Sequence, residues 1–242
     1  YNWRVRVWNK SDEPSSWSDK GRFIITNVKA SFGESRWIGA ITKADAHTPE
    51  GRIFHGSEMK KETVKAAWAA ADSLSRKSIY VRTTFTSQQK KVKQAVVNIC
   101  GLGLYELSIN GKKVGNSEFT PLISDYDKSV WYNTYDVTAL LQKGNNAIGV
   151  LLGNGFYNVQ GGRYRKLLIS FGPPTVRLQL TIHYEDGTSQ TVASDKTWKY
   201  DFSPVTFNCI YGGEDYDARQ EQKGWNMAKF NDTLWNQVEL QD

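Results

Sequence analysis

The chain has 242 residues, a formal net charge of +6 and a mean hydropathy of −0.55. That length holds one large domain, or one domain and part of another. Its basic residues alternate with acids and the densest basic run, Lys90-Lys91-Val92-Lys93, is short, which argues against nucleic-acid binding; no apolar run is long enough to insert in a membrane.

Aromatic residues make up 13%, with nine Trp and twelve Tyr, a balance that suits twisted sheets with one solvated face. The first element is a hairpin. Tyr1 to Trp8 alternates with period two, a polar turn spans Ser11 to Pro14, and the pattern resumes at Arg22-Phe23-Ile24-Ile25. Its Tyr-x-Trp-Arg-Val strand and Ser16-Trp17-Ser18 turn resemble the last two strands of a fibronectin type III module, which needs about seven strands in all. The expectation is a chain cut inside one module at residues 1–27.

Residues 28–78 read as a connector broken by Gly33, Gly39, Pro49 and Gly51, with Trp37-Ile38 as its apolar anchor. Within it, Met59 to Leu74 places Val64, Ala67, Trp68 and Ala71 on one helical stripe, with Ser57 as N-cap, and the bland role is a helix covering a sheet edge. Strands follow over 79–86, 91–100, 104–109, 130–135, 147–152, 176–184, 190–193 and 198–202. The clearest alternates Val176, Leu178, Leu180, Ile182 and Tyr184 with Arg177, Gln179, Thr181 and His183, the second set on the wet face. Asn110-Gly111 and Asp186-Gly187 supply hairpin turns. Short sequential strands without alternating helices predict a mostly β chain: an antiparallel jelly-roll or galactose-binding-like β-sandwich with one short helix over 79–220, and a closing segment over 221–242.

From Gly103 to Tyr157 several ordered blocks carry a resemblance. They are Gly103-Leu104-Tyr105-Glu106-Leu107-Ser108-Ile109-Asn110-Gly111-Lys112-Lys113-Val114-Gly115, Thr120-Pro121, Asp125-Tyr126-Asp127-Lys128, Tyr132-Asn133-Thr134-Tyr135-Asp136-Val137-Thr138 and Leu152-Gly153-Asn154-Gly155-Phe156-Tyr157. Together they resemble the N-terminal β-sandwich of bacterial α-L-rhamnosidases, with a lead-in at Asp72 to Arg82 and an exit at Gly213 to Arg219. The resemblance implies a secreted or periplasmic multi-domain glycosidase. Its activity would be removal of terminal L-rhamnose, by inversion, from glycosides or from plant or microbial polysaccharides. The two carboxylates would sit in a downstream (α/α) barrel, roughly 6.5 to 9.5 Å apart to admit a water. The expectation is therefore an inactive accessory region of a glycoside hydrolase, with no catalytic residue in this chain.

The residues themselves offer no better chemistry. Glu214, Asp215, Asp217 and Glu221 cluster, but only Asp215 and Asp217 share a strand face, and Arg219 is the expected partner of an acid. His47, His55 and His183 lack metal or triad spacing, and Gly153-x-Gly155 with Gly161-Gly162 lacks the strand-turn-helix of a phosphate loop. Cys100 and Cys209 sit in apolar stretches and read as small buried hydrophobes, with a disulfide between them left open. Two roles stand beside each other. A structural spacer packed on the barrel predicts an exposed apolar patch. A carbohydrate-binding module would use Asp125, Tyr126, Trp131, Asn154, Phe156 and Tyr157, with calcium entering only with that reading. A complete lectin-like protein is the third, and it turns on whether the gene continues past Asp242.

Overall fold

The computed structural model describes residues 1–23, 32–49, 51–54, 61–159 and 167–241. Ile24, Ile25, His55, Ser57, Met59, Gly161, Gly162 and Asp242 lie outside the described residues, as does the side chain of Trp68. The chain forms two compact units, Tyr1–Ser31 and Phe32–Asp242.

In the first unit, Asn2–Trp3 pairs antiparallel with Gly21–Arg22, and Trp8 bridges Pro14. Ser15 and Ser18 donate their backbone N–H groups to the Val7 and Val5 carbonyls, while their hydroxyls accept from the N–H groups of the same two valines. Serine thus substitutes for strand backbone along the ribbon. The Arg6 guanidinium lies between two indoles, 4.7 Å from Trp8 and 4.6 Å from Trp17, and Tyr1 stacks on Phe23.

The second unit is an antiparallel β-sandwich. One sheet runs in the order Asn236–Gln237, Lys199–Phe202, Ile79–Thr86, Asn145–Gly153, Leu104–Ile109, Lys112–Lys113. The facing sheet runs Glu239–Gln241, Trp37–Gly39, Thr175–Tyr184, Val92–Leu102, Asn133–Asp136, with Ser189–Ala193 paired beside Thr175–Tyr184. Period-two alternation puts Tyr200, Val81, Val150 and Leu107 of the first sheet inward, opposite Ala95, Val97, Ile99, Leu178, Leu180 and Ile182 of the second. Each fully buried aliphatic side chain here contributes about 1.5–3 kcal/mol. Trp198 closes one end, its indole donating to the Ala193 carbonyl at 3.0 Å.

Several local expectations change. Strand pairing begins at Asn133, not Val130, because Val130 and Trp131 remain exposed in a loop. Gln179 is buried, not solvated: residues 32–36 cross that face, where the Arg177 Nε donates to the Ser35 hydroxyl and its guanidinium covers Phe32. The expected helix is confined to Glu62–Ala70 with Lys61 at its N-cap, and Ala67 on the proposed stripe is exposed. A second helical turn, Lys43–Ala46, lies in the segment read as irregular. Thr42 caps it by accepting from the Asp45 N–H, and its hydroxyl donates to the Asp45 carboxylate. Short strands unread in the sequence also form: Gly51–Phe54 pairs with Leu167–Ser170 and that with Asn158–Val159, while Val205–Cys209 and Gly213–Tyr216 form a ribbon.

Candidate functional site

The outward face of the first sheet positions everything that follows. Register places Asp201, Tyr80, Leu151 and Glu106 in one row across four strands, and Lys199, Arg82, Gly149, Ser108 and Lys113 in the next. A strap over residues 222–235 crosses the second row. Trp225 stacks on Tyr80 at 4.0 Å, the Asn226 amide donates to Ser108, and Trp235 donates to Gln222. Beneath the strap Arg82 is buried, covered by the Phe230 and Trp235 rings at 5.4 and 5.9 Å. It pairs with Asp232 and donates to the Met227 carbonyl, and Lys199 joins the same carboxylate at 3.0 Å. Burial lowers the Arg82 pKa below its usual value, and the carboxylate and rings keep the cation matched.

Beside the strap the sheet face stays open as a groove of about 550 Å³. Leu104, Glu106, Leu151 and Gly153 form its floor, the 205–216 ribbon contributes Val205, Asn208, Ile210 and Glu214, and Glu118-Phe119 approach from the other side. The Gly153 backbone packs so closely on the ribbon that a Cβ there would lie 3.0 Å from the Asn208 Oδ1. Lys113 bridges Glu106 and Glu118 at 2.9 and 2.8 Å. The sequence signal for this groove was thin, because the ribbon that makes its wall was not read as strands.

Of the six residues expected to hold a sugar, Tyr126 and Tyr157 are brought into contact. Tyr126, Tyr157 and Phe171 form a mutual aromatic cluster with ring separations of 5.2 to 5.6 Å, and the Tyr157 hydroxyl donates to the Phe171 carbonyl. Desolvation raises the Tyr157 pKa to about 12. Asn154 is buried, its amide donating to the Arg76 and Asn208 carbonyls while its Oδ1 accepts from Asn158. Phe156 meets Tyr211 edge-on, Asp125 pairs with Lys128 in a turn, and Trp131 is exposed.

The profile of the α-L-rhamnosidase N-terminal domain matches residues 90–242. The chain belongs to that family. An α-L-rhamnosidase of Formosa agariphila is 39% identical over 240 residues, which cover 97% of this chain and 24% of the relative. Another, of Streptomyces avermitilis, is 34% identical over 246 residues, covering 96% and 23%. The α-L-rhamnosidase structure from Dictyoglumus thermophilum superposes with a TM-score of 0.70 at 33% identity, covering 100% of this chain and 25% of that one. That from Aspergillus terreus gives 0.72 at 28% identity, covering 99% and 25%. The chain spans about a quarter of the length of the curated relatives it matches.

Within this α-L-rhamnosidase N-terminal domain the acidic exit block has a structural arrangement. Asp217 caps the turn Ala218–Gln220 and takes both arms of Arg219, at 2.8 and 2.7 Å, which holds its carboxyl well below the usual carboxylate range. The Tyr216 hydroxyl donates to Glu221. His47 ends the Lys43–Ala46 turn, His183 is exposed, and among the described residues no group of three or more His, Cys, Asp or Glu is placed to hold a metal. Cys100 and Cys209 are both free and buried, and burial pushes the Cys100 thiol up to about 12.

Proposed function

We propose that the chain is a non-catalytic accessory region of a secreted or periplasmic α-L-rhamnosidase, and that it packs on the catalytic barrel and fixes its orientation. The parent enzyme would hydrolyse terminal L-rhamnose by inversion, with both carboxylates in the barrel. The observation that carries the reading is a run of exposed apolar side chains between two sheet strands: Phe119, Leu122, Ile123, Val130 and Trp131, from 37% to 75% exposed. An isolated domain has little reason to display such a segment, and a domain with a partner surface has one. The exit block supports the same role, since Asp217 is committed to Arg219 and is not free to act as a general acid.

Two measurements test this. Hydrogen exchange over residues 119–131 should slow in a longer polypeptide that carries the barrel, compared with this chain alone; equal exchange overturns the docking. This chain alone should not turn over a nitrophenyl α-L-rhamnoside, and turnover by pure chain would place catalysis here.

A further inference from the structure

The groove on the outer sheet face differs in charge from the rest of the molecule. The chain carries a net +6, yet three carboxylates, Glu106, Glu118 and Glu214, line this groove and Lys113 is the ammonium that pairs with the first two. Glu214 is exposed on the ribbon and has no cationic partner among the described residues. Between the carboxylates the lining is apolar, with Leu104, Leu151, Val205 and Ile210. Phe119 displays its ring at 73% exposure from a backbone with φ of 53°, a conformation that costs about 1 kcal/mol or more for a residue with a bulky side chain. One donor is also left over: the Asn208 Nδ2 is buried without a hydrogen-bond partner, although its Oδ1 accepts from the Asn154 N–H.

We propose that this groove receives a peptide segment presenting an arginine between apolar neighbours, supplied by the barrel on which the chain packs; the assignment rests on the docking reading above. Each feature has a counterpart in such a segment. The guanidinium fork matches a carboxylate, which Glu214 offers, and stacks on an aromatic face, which Phe119 offers from the opposite side of the groove. Apolar neighbours fill the floor, and a backbone carbonyl of the segment accepts from the Asn208 amide. An acidic segment is excluded by the same carboxylates.

The probe is the blocked tripeptide acetyl-Leu-Arg-Leu-amide, titrated into this chain and followed by amide NMR, with the neutral citrulline analogue and L-rhamnose as parallel arms. Saturable shifts at Gly153, Gly155, Gly213 and the Asn208 side-chain amide are expected with the arginine peptide. Glu214→Gln, an exposed change that leaves the fold intact, should weaken binding about threefold. Equal binding of the citrulline peptide, or shifts at those amides with L-rhamnose and none with the arginine peptide, overturns the proposal. The docking reading fails separately. If residues 119–131 are protected in the longer polypeptide but the arginine peptide does not bind, only the groove assignment falls; if the peptide binds and those residues stay unprotected, the groove chemistry stands and its source in the barrel is lost.

Discussion

Gly149 lies where the strap crosses the sheet, and it shows how a single hydrogen governs a contact. A Cβ built there would meet the Trp225 ring at 2.7 Å and the Asn226 Cβ at 2.8 Å. Gly149→Ala should therefore destabilise the chain by about 1–3 kcal/mol, the range for overpacking, as read by urea denaturation. In a Trp225→Ala background the same change should cost less, because the ring is gone and only the Asn226 Cβ contact remains; an unchanged cost would show that the Asn226 contact alone sets the penalty. Asn154 makes a different point about single residues. Its residue type was legible, but its contacts were not: its amide donates to the Arg76 and Asn208 carbonyls and its Oδ1 accepts from Asn158, partners far away or unmarked in the sequence.

At the scale of elements, the hairpin at Asn110-Gly111 was readable because both residues hold positive φ, 51° and 79°, as a tight turn between twisted strands requires. What the local pattern did not contain is the second task of Asn110. Its amide donates to the Leu140 carbonyl and to Asn146, and its Oδ1 accepts from the Ala147 N–H, which ties the turn to the start of the strand Asn145–Gly153 and to the connection before it. Asn110→Gly keeps the turn geometry and deletes those bonds, so it should cost roughly 2 kcal/mol, with strand pairing retained in circular dichroism. A cost near zero would mean that the turn alone matters. The strands over 79–86 and 104–109 coincide with their predicted bounds for the same reason that Asn110-Gly111 was legible: alternation and turn chemistry are local signals. The 205–216 ribbon lacks them. Its burial pattern is irregular, and a register shift between Val205 and Phe207 breaks the period.

For the whole molecule, stability should have a plateau bounded by two sets of groups. On the acid side, Asp186 accepts from Lys90 and from the hydroxyl and N–H of Thr188, which lower its pKa from 3.8 to about 2, and Arg219 lowers that of Asp217 further. Both folded values lie below the unfolded one, so their contribution is present above about pH 4 and is lost as the pH falls towards 2; Asp186 is exposed and Asp217 half-buried, and solvent screens the effect. On the alkaline side, desolvation raises Tyr80 and Tyr157 from 10.0 to about 12 and raises Tyr105 as well. These phenols stay neutral in the fold while the unfolded chain ionises, so stability is full below pH 10 and is lost as the pH rises through 12. Denaturation midpoints across this range, with tyrosine absorbance at high pH, check both limits; a tyrosine titration complete near pH 10 in the folded chain would contradict the alkaline one.

By itself the sequence determined the long alternating strands of the two main sheets, because a period-two pattern and positive-φ turns act through neighbours along the chain. It also determined the family, because the ordered blocks from Gly103 to Tyr157 carry the hairpin, caps and core strands of that sandwich. Only the tertiary structure decided which faces are covered. The closing segment returns over Arg82 and Gly149 from far along the chain, residues 32–36 bury Gln179, and the ribbon turns an open sheet face into an acidic groove. Contacts between distant segments leave no period in the sequence. Their geometry is set by register between strands, and the face that register leaves uncovered is the one assigned here to a partner.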